Sequence, residues 1–315
     1  MGRKMGTGKW MFCAVAGSLL AACASSGVAP PETYDARAAR ARQSLDHAVA
    51  VVRSSLDPAK LEVAKVAEMT SAGRIDPIDP EPMTAALKTL IRSDGNLRDA
   101  TILTCDEWVR GLVVQNKSIV PVALDFHDQH KRVRMVFDRD LTEPGHDGYW
   151  DDPAFTTING PSLTVRQRLL YHGAPRGVLI ATVSLADISR QFEKDADDTG
   201  ARSFILSGDR VLAHPTLARA FSAGSPPVGG TAPTVHDLND RVLAARGSGR
   251  IVPNAGPGVG RETAEIVSLD GQDFLIQTRE LRGYGPKGQT IGTYVSLADV
   301  TDFHGPRAAL AQSRP

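Results

Sequence analysis

The chain has 315 residues, 36 of them basic and 36 acidic, so its formal net charge is zero. That balance excludes the basic footprint of a nucleic-acid binder, while 42% hydrophobic and 23% charged residues are ordinary for a globular chain with a sizeable core. Beyond the N-terminus no run approaches the roughly 20 apolar residues that a membrane-spanning helix needs.

Residues 1–22 read as a targeting segment. Arg3, Lys4 and Lys9 form a basic start, residues 10–20 an apolar run, and Leu20-Ala21-Ala22-Cys23 has the form of a bacterial lipobox. That resemblance implies cleavage before Cys23, lipidation of its thiol, and a chain held on the bacterial cell envelope facing the periplasm. With Ala24 after the cysteine, it implies sorting to the outer membrane. Without the three basic residues of the segment, 33 basic side chains face 36 acidic ones. Cys13 leaves with the signal, so Cys105 has no disulfide partner in the mature chain. Asp106 and Glu107 beside it would raise a thiol pKa, which argues against a nucleophile.

Residues 23–33 are a short tether. Residues 34–72 then read as a helical spine in which Leu45, Ala48, Val49, Val52 and Leu56 make a stripe. An interruption is expected at Asp57-Pro58, where aspartate can cap and proline can take the first helical position. Such a helix serves as plain core or as a signalling device, and the sequence leaves both open. A further helix is expected over residues 83–91, and strands over 100–104, 109–114 and 119–124. Residues 126–137 are polar. His127 and His130 are spaced to share a metal on a helix, but no third ligand has clear spacing, so no metal is assigned there. Residues 142–161 are a Gly/Pro/Asp loop interrupted by Tyr149-Trp150, either a plug on the sheet or a ligand contact.

From residue 163 to 215 the pattern reads strand, turn, strand, helix, strand. Gly177 begins a nearly continuous apolar run through Val183, as an inner strand requires. Ser184-Leu185-Ala186-Asp187 has the form of a capping box and predicts a helix start. Residues 222–233 are irregular, and residues 235–245 look helical. The phrase Val183-Ser184-Leu185-Ala186-Asp187-Ile188 returns as Val295-Ser296-Leu297-Ala298-Asp299-Val300, each copy behind a hairpin. Matching flanks make this a duplication of one α/β module. Gly256 to Gly260 is no phosphate loop, because no strand and helix flank it and Pro257 removes an amide.

These phrases, with residues 204–215 (Phe-Ile-Leu-Ser-Gly-Asp-Arg-Val-Leu-Ala-His-Pro), resemble the double Cache domain, the extracytoplasmic sensor of bacterial chemoreceptors, histidine kinases and cyclases. Trp150, Pro153 and Phe155 resemble its W-x-x-P region at the mouth of the membrane-distal pocket. The resemblance implies an α+β fold: a long N-terminal helix, then two tandem PAS-like modules, each an antiparallel sheet flanked by helices. It places the distal module over residues 73–215, the membrane-proximal module over 216–303 and a tail over 304–315. The function it implies is small-ligand sensing for signal transduction, without catalysis or cofactor, working through a separate membrane transducer. The alternatives are a truncated sensor portion of a receptor or cyclase, an envelope hydrolase using the His127/His130 region, and a purely structural lipoprotein. Ligand-binding candidates are Tyr149, Trp150, Asp152, Tyr171 and Thr182. Amino-acid sensors of this family would have an arginine two places before the Trp and an aspartate near the end of the central strand; here those positions are Gly148 and Thr182. Both charged clamps are absent on that alignment, so a free α-amino acid is not expected to bind strongly.

Overall fold

An apolar stripe at helical spacing makes Tyr34–Ser71 one helix, α1, of 38 residues. In the computed structural model, which describes residues 32–105, 108–115, 117–125, 138, 140, 148–156, 160–222, 232–252, 262–286 and 288–300, this helix runs past both sheets. Thr33 caps it, its hydroxyl accepting from the Ala36 amide at 3.3 Å. The expected interruption at Asp57-Pro58 does not occur, and Pro58 lies inside α1. An interior proline costs about 3 kcal/mol or more. Leu56, Ala59 and Val63 are fully buried around it, and their burial offsets that cost. Asp57 is no cap either: its carboxylate accepts from the Tyr284 hydroxyl. A true cap stands at Asp79, which accepts from the Glu81 amide at 3.2 Å ahead of α2 (Pro80–Ser93).

The distal sheet contains β1 (Leu97–Thr104), β2 (Trp108–Gln115), β3 (Ser118–Asp125), β4 (Tyr149–Trp150), β5 (Ala154–Thr156), β6 (Gly160–Tyr171) and β7 (Ala174–Ser184). Its order is β3-β2-β1-β7-β6-β4, with β5 also on β6, and every pairing is antiparallel. The region expected to be a loop over residues 142–161 thus supplies two short strands. Helix α3 (Ala186–Thr199) follows β7. The capping box does not form. Ser184 Oγ accepts from the Ala186 amide instead, and the Asp187 carboxylate is taken by Arg98 and Arg190. Two guanidiniums outbid a single backbone amide for it.

The second sheet contains β8 (Arg202–Ser207), β9 (Arg210–Ala213), β10 (Arg250–Val252), β11 (Glu262–Leu269), β12 (Gln272–Leu281) and β13 (Gln289–Ser296), in the order β10-β11-β12-β13-β8-β9. Its first two strands precede residue 216, so the expected module boundary at 215/216 falls inside this sheet. Between β9 and β10 lie α4 (Pro215–Ser222) and a single helical turn, α5 (Arg241–Ala244), in place of the helix expected over 235–245. Asp240 caps that turn, accepting from the Leu243 amide at 3.0 Å. Gly177, expected to begin its strand, and its counterpart Gly292 both lie inside strands, where neighbours press close. A Cβ on Gly177 would stand 2.8 Å from the Leu103 carbonyl, and one on Gly292 would strike the Phe204 ring.

The sheets are wired alike. Strand β7 lies between β1, the first strand of its sheet, and its hairpin partner β6; β13 lies between β8 and β12 in the same relation. Against α1 and α2 the distal sheet buries Ile102, Leu112, Trp150, Val165, Leu179 and Val183. The α1-facing side of the second sheet holds Ala264, Ile266, Leu275 and Val295 over Ala41. Among the described residues no helix is long and apolar enough to cross a membrane. The targeting segment, residues 23–31 of the tether with Cys23, His127, His130 and the tail over 304–315 lie outside the described residues.

Candidate functional site

Side chains alternate across a strand, and residues directly opposite on neighbouring strands share a face. In the distal sheet Tyr149 pairs with Arg166, Arg166 with Ile180, and Thr182 with both Thr164 and Asp99. These six therefore occupy the face turned away from α1. Trp150, Val165 and Ala181 form the next row and occupy the other face, in the core.

Arg166 organises the polar face. Its Nη1 donates to Asp140 at 2.8 Å, its Nη2 lies 2.6 Å from Asp151, and the Tyr149 hydroxyl donates to Asp140 at 2.7 Å. The Asp140 side chain is 2% exposed, so its charge is compensated out of water. Burial pulls the Arg166 guanidinium down, but the charges of Asp151 and Asp140 more than offset this and hold it above its ordinary value. One donor is left over: Arg166 Nε is buried with no acceptor among the described residues. Thr182 is buried a short way along the same face.

Of the five candidates, only Tyr149 and Thr182 stand on this face. Trp150 is 3% exposed and packs beneath the sheet, its ring centroid 6.0 Å from that of Tyr284. Tyr171 is at the far tip of the β6–β7 hairpin, against His172. Seven residues of extended chain separate it from Thr164, roughly 20 Å, too far for one small ligand. Asp152 turns outward and lines a cleft of about 700 Å³ with Arg210, Glu280 and Gln289. Gly148 also needs correcting as a clamp position. A Cβ there would stand 3.2 Å from Gln167 Oε1 and 3.3 Å from Cε of Lys60 on α1, on the side away from the polar face. The guanidinium that does stand on this face is that of Arg166. The alternation Leu163, Val165 against Thr164, Arg166 would have found it, because a charged residue in the middle of an inner strand needs a partner on its own face.

The matching face of the second sheet is filled. Phe204, Leu206, Val267 and Ile276 pack there with Leu217, Leu238 and Val242. Its polar residues serve one another: Tyr294 donates to Asp240, and His214 Nε2 lies 3.4 Å from the same carboxylate. The Thr216 amide donates to His214 Nδ1 at 3.1 Å, which fixes the neutral tautomer with its proton on Nε2. Burial pushes the Asp240 carboxyl up, but the His214 imidazole, the Leu243 amide and the Tyr294 hydroxyl together bring it down to about 2. Burial and the Asp240 charge raise the Tyr294 hydroxyl.

No protein-family model matches this chain, and no curated protein matches its sequence. Solved structures do match. The sensory domain of the Campylobacter jejuni chemoreceptor Tlp3 superposes with a TM-score of 0.56 at 13% identity, over 84% of this chain and 96% of that one. The extracellular domain of the histidine kinase mmHK1S-Z3 gives 0.54 at 12% identity, over 88% and 99%. The ligand-binding domain of the Pseudomonas aeruginosa PAO1 amino acid chemoreceptor PctC, in complex with GABA, gives 0.52 at 14% identity, over 81% and 97%. Each match spans nearly the whole of the sensor domain, so this chain has the double Cache fold that its motifs resemble.

Proposed function

We propose that this chain is an extracytoplasmic sensor module, without catalysis, that holds a small polar ligand on the polar face of the distal sheet. The buried Nε of Arg166, left without an acceptor, carries this reading. A buried donor without a partner costs about 1–3 kcal/mol, and a ligand oxygen would recover it. Because Asp140 and Asp151 already balance the guanidinium charge, a neutral carbonyl or hydroxyl suits Arg166 better than a carboxylate. Thr182 adds a hydroxyl where amino-acid sensors of the family would have an aspartate, so an α-amino acid lacks its ammonium clamp. PctC was solved with GABA and Tlp3 with 4-methylisoleucine, which supports a small-molecule ligand of some kind here. The filled face of the second sheet favours the distal site.

The lipobox supports a lipid anchor at Cys23 in the outer membrane with the chain facing the periplasm, and a separate membrane transducer would receive the signal. Calorimetry of the purified chain against amino acids, carboxylates, polyamines and purines tests the reading. A neutral polar compound should bind, and Thr182→Val should weaken it about tenfold, the loss of roughly one hydrogen bond. Micromolar binding of an ordinary α-amino acid, or a ligand indifferent to Thr182→Val, would refute it.

A further inference from the structure

The cleft of about 700 Å³ that holds Asp152 lies where the two sheets meet. Asp152 belongs to the segment between β4 and β5 of the distal sheet, whereas Ser207 and Arg210 come from the β8–β9 hairpin, and Glu280 and Gln289 from the adjoining ends of β12 and β13. Its charges are mixed. Asp152 and Glu280 bring carboxylates, and Arg210 brings a guanidinium that forms an ion pair with neither of them. Other contacts set these groups in place: Arg210 Nη1 donates to the Ala232 carbonyl at 3.0 Å, and Glu280 Oε2 accepts from Arg282 Nε at 3.1 Å. A charged ligand of either sign would meet a like charge here as well as an opposite one.

Gln289 gives an independent sign of an occupant. It is 3% exposed, it lines the cleft, and its Oε1 is buried without a hydrogen-bond partner among the described residues. Buried side-chain polar atoms in folded proteins are nearly always partnered. The amide is held at the junction by Gly285, whose φ is +91°: a Cβ there would stand 2.8 Å from Gln289 Nε2 and 3.4 Å from the Asp151 carbonyl. The β12–β13 connection can therefore close over this side chain and against the distal segment. A donor entering from the cleft would satisfy Oε1. A hydroxyl matches the walls best, because it can donate to Gln289 or to a carboxylate, accept from Arg210, and bring no charge into a site of mixed sign.

We infer that this junction cleft binds a neutral polyhydroxyl ligand, a small sugar, whose hydroxyls donate to Gln289 and Asp152 and accept from Arg210. The volume is within the range of small-ligand sites. The assignment does not rest on the distal face, and its probes are separate from the compounds titrated against that face. Calorimetric titration of the purified chain with glucose, N-acetylglucosamine and myo-inositol tests it, with sodium acetate and methylammonium chloride as charged arms. At least one polyol should saturate at one per chain, Gln289→Met and Asp152→Ala should each weaken it about tenfold, and Thr182→Val should leave it unchanged. Gln289→Met removes an unpaired polar atom, so the unfolding midpoint of the unliganded chain should stay level or rise. Asp152 is exposed, so its variant should fold even if Gln289→Met does not. No heat with any polyol, binding of a charged probe alone, or unchanged affinity in either variant would overturn the assignment. A polyol weakened by Thr182→Val and untouched by Gln289→Met would be on the distal face, and would overturn it as well.

Discussion

Leu185 and Leu297 occupy the same place in the two sheets. The Leu185 amide donates to the Pro161 carbonyl at 2.8 Å, and the Leu297 amide to the Asp273 carbonyl at 2.9 Å, each reaching the start of its own hairpin. The serine before each accepts from the amide two residues on, Ser184 from Ala186 at 3.2 Å and Ser296 from Ala298 at 3.1 Å. Both leucines are buried, at 0% and 3% exposure. Truncating either to alanine should therefore cost about 2–5 kcal/mol, read from urea unfolding of the purified chain. A loss below about 1 kcal/mol at one of them would mean that the repeated phrase is structural in only one sheet.

That repeat was the most legible feature of the chain, and it located the central strand of each sheet. Apolar alternation is a local signal, and the matched phrase needed only comparison with itself. What could not be read locally was set by distant partners. Pro58 stays helical because the sheets bury its neighbours, and Asp187 leaves its capping role because Arg98, 89 residues away in sequence, takes it. The site was half legible for a similar reason. Tyr149 and Thr182 stand on the one polar face, but adjacent Trp150, grouped with Tyr149 in the sequence, turns the other way because neighbours on a strand face opposite sides. Arg166 was missed because its partner Asp140 lies in another segment.

Acid should release part of the stability through Asp240. Its carboxyl is lowered in the folded chain from 3.8 to about 2, so the folded state binds the proton less readily than the unfolded one. The contribution is complete above pH 4 or so and is lost as pH falls through about 2, amounting to about 2 kcal/mol. Unfolding free energies measured along that acid range should fall in the wild type, and that part of the fall should be missing in Asp240→Asn. Equal slopes for the two proteins would show that the His214–Tyr294 cluster does not hold the charge of Asp240.

The anchor is tested apart from the fold. Cells making the wild type and Cys23→Ser are fed labelled palmitate, and only the wild type should take up label. Equal labelling of both, or none in either, would remove the lipoprotein reading and with it the proposed outer-membrane position.

Trp150 joins the two sheets, and its variants separate positioning from ligand contact. Its ring meets Tyr284 of the β12–β13 connection, and the Tyr284 hydroxyl donates to Asp57 of α1. Burial and the Asp57 charge raise that hydroxyl above its ordinary value, so it stays protonated and donating across the physiological range. Trp150→Ala should cost about 3–5 kcal/mol of stability. Tyr284→Phe, which takes a donor from a charged acceptor, should cost about 1.5–3 kcal/mol. Tyr284→Phe keeps the ring, so the ring contact is read from Tyr284→Leu instead: because the rings touch, Trp150→Ala with Tyr284→Leu should be less damaging than the sum of those singles by about 0.5–1.5 kcal/mol. Binding should behave differently. Trp150→Phe keeps an aromatic ring beneath the sheet and leaves Tyr149 in place above it, so ligand affinity should change by no more than a few-fold, while Thr182→Val weakens it about tenfold. If Trp150→Phe instead abolishes binding while the chain keeps its unfolding midpoint, the indole itself touches the ligand, and the division of β4 into one binding face and one packing face is wrong.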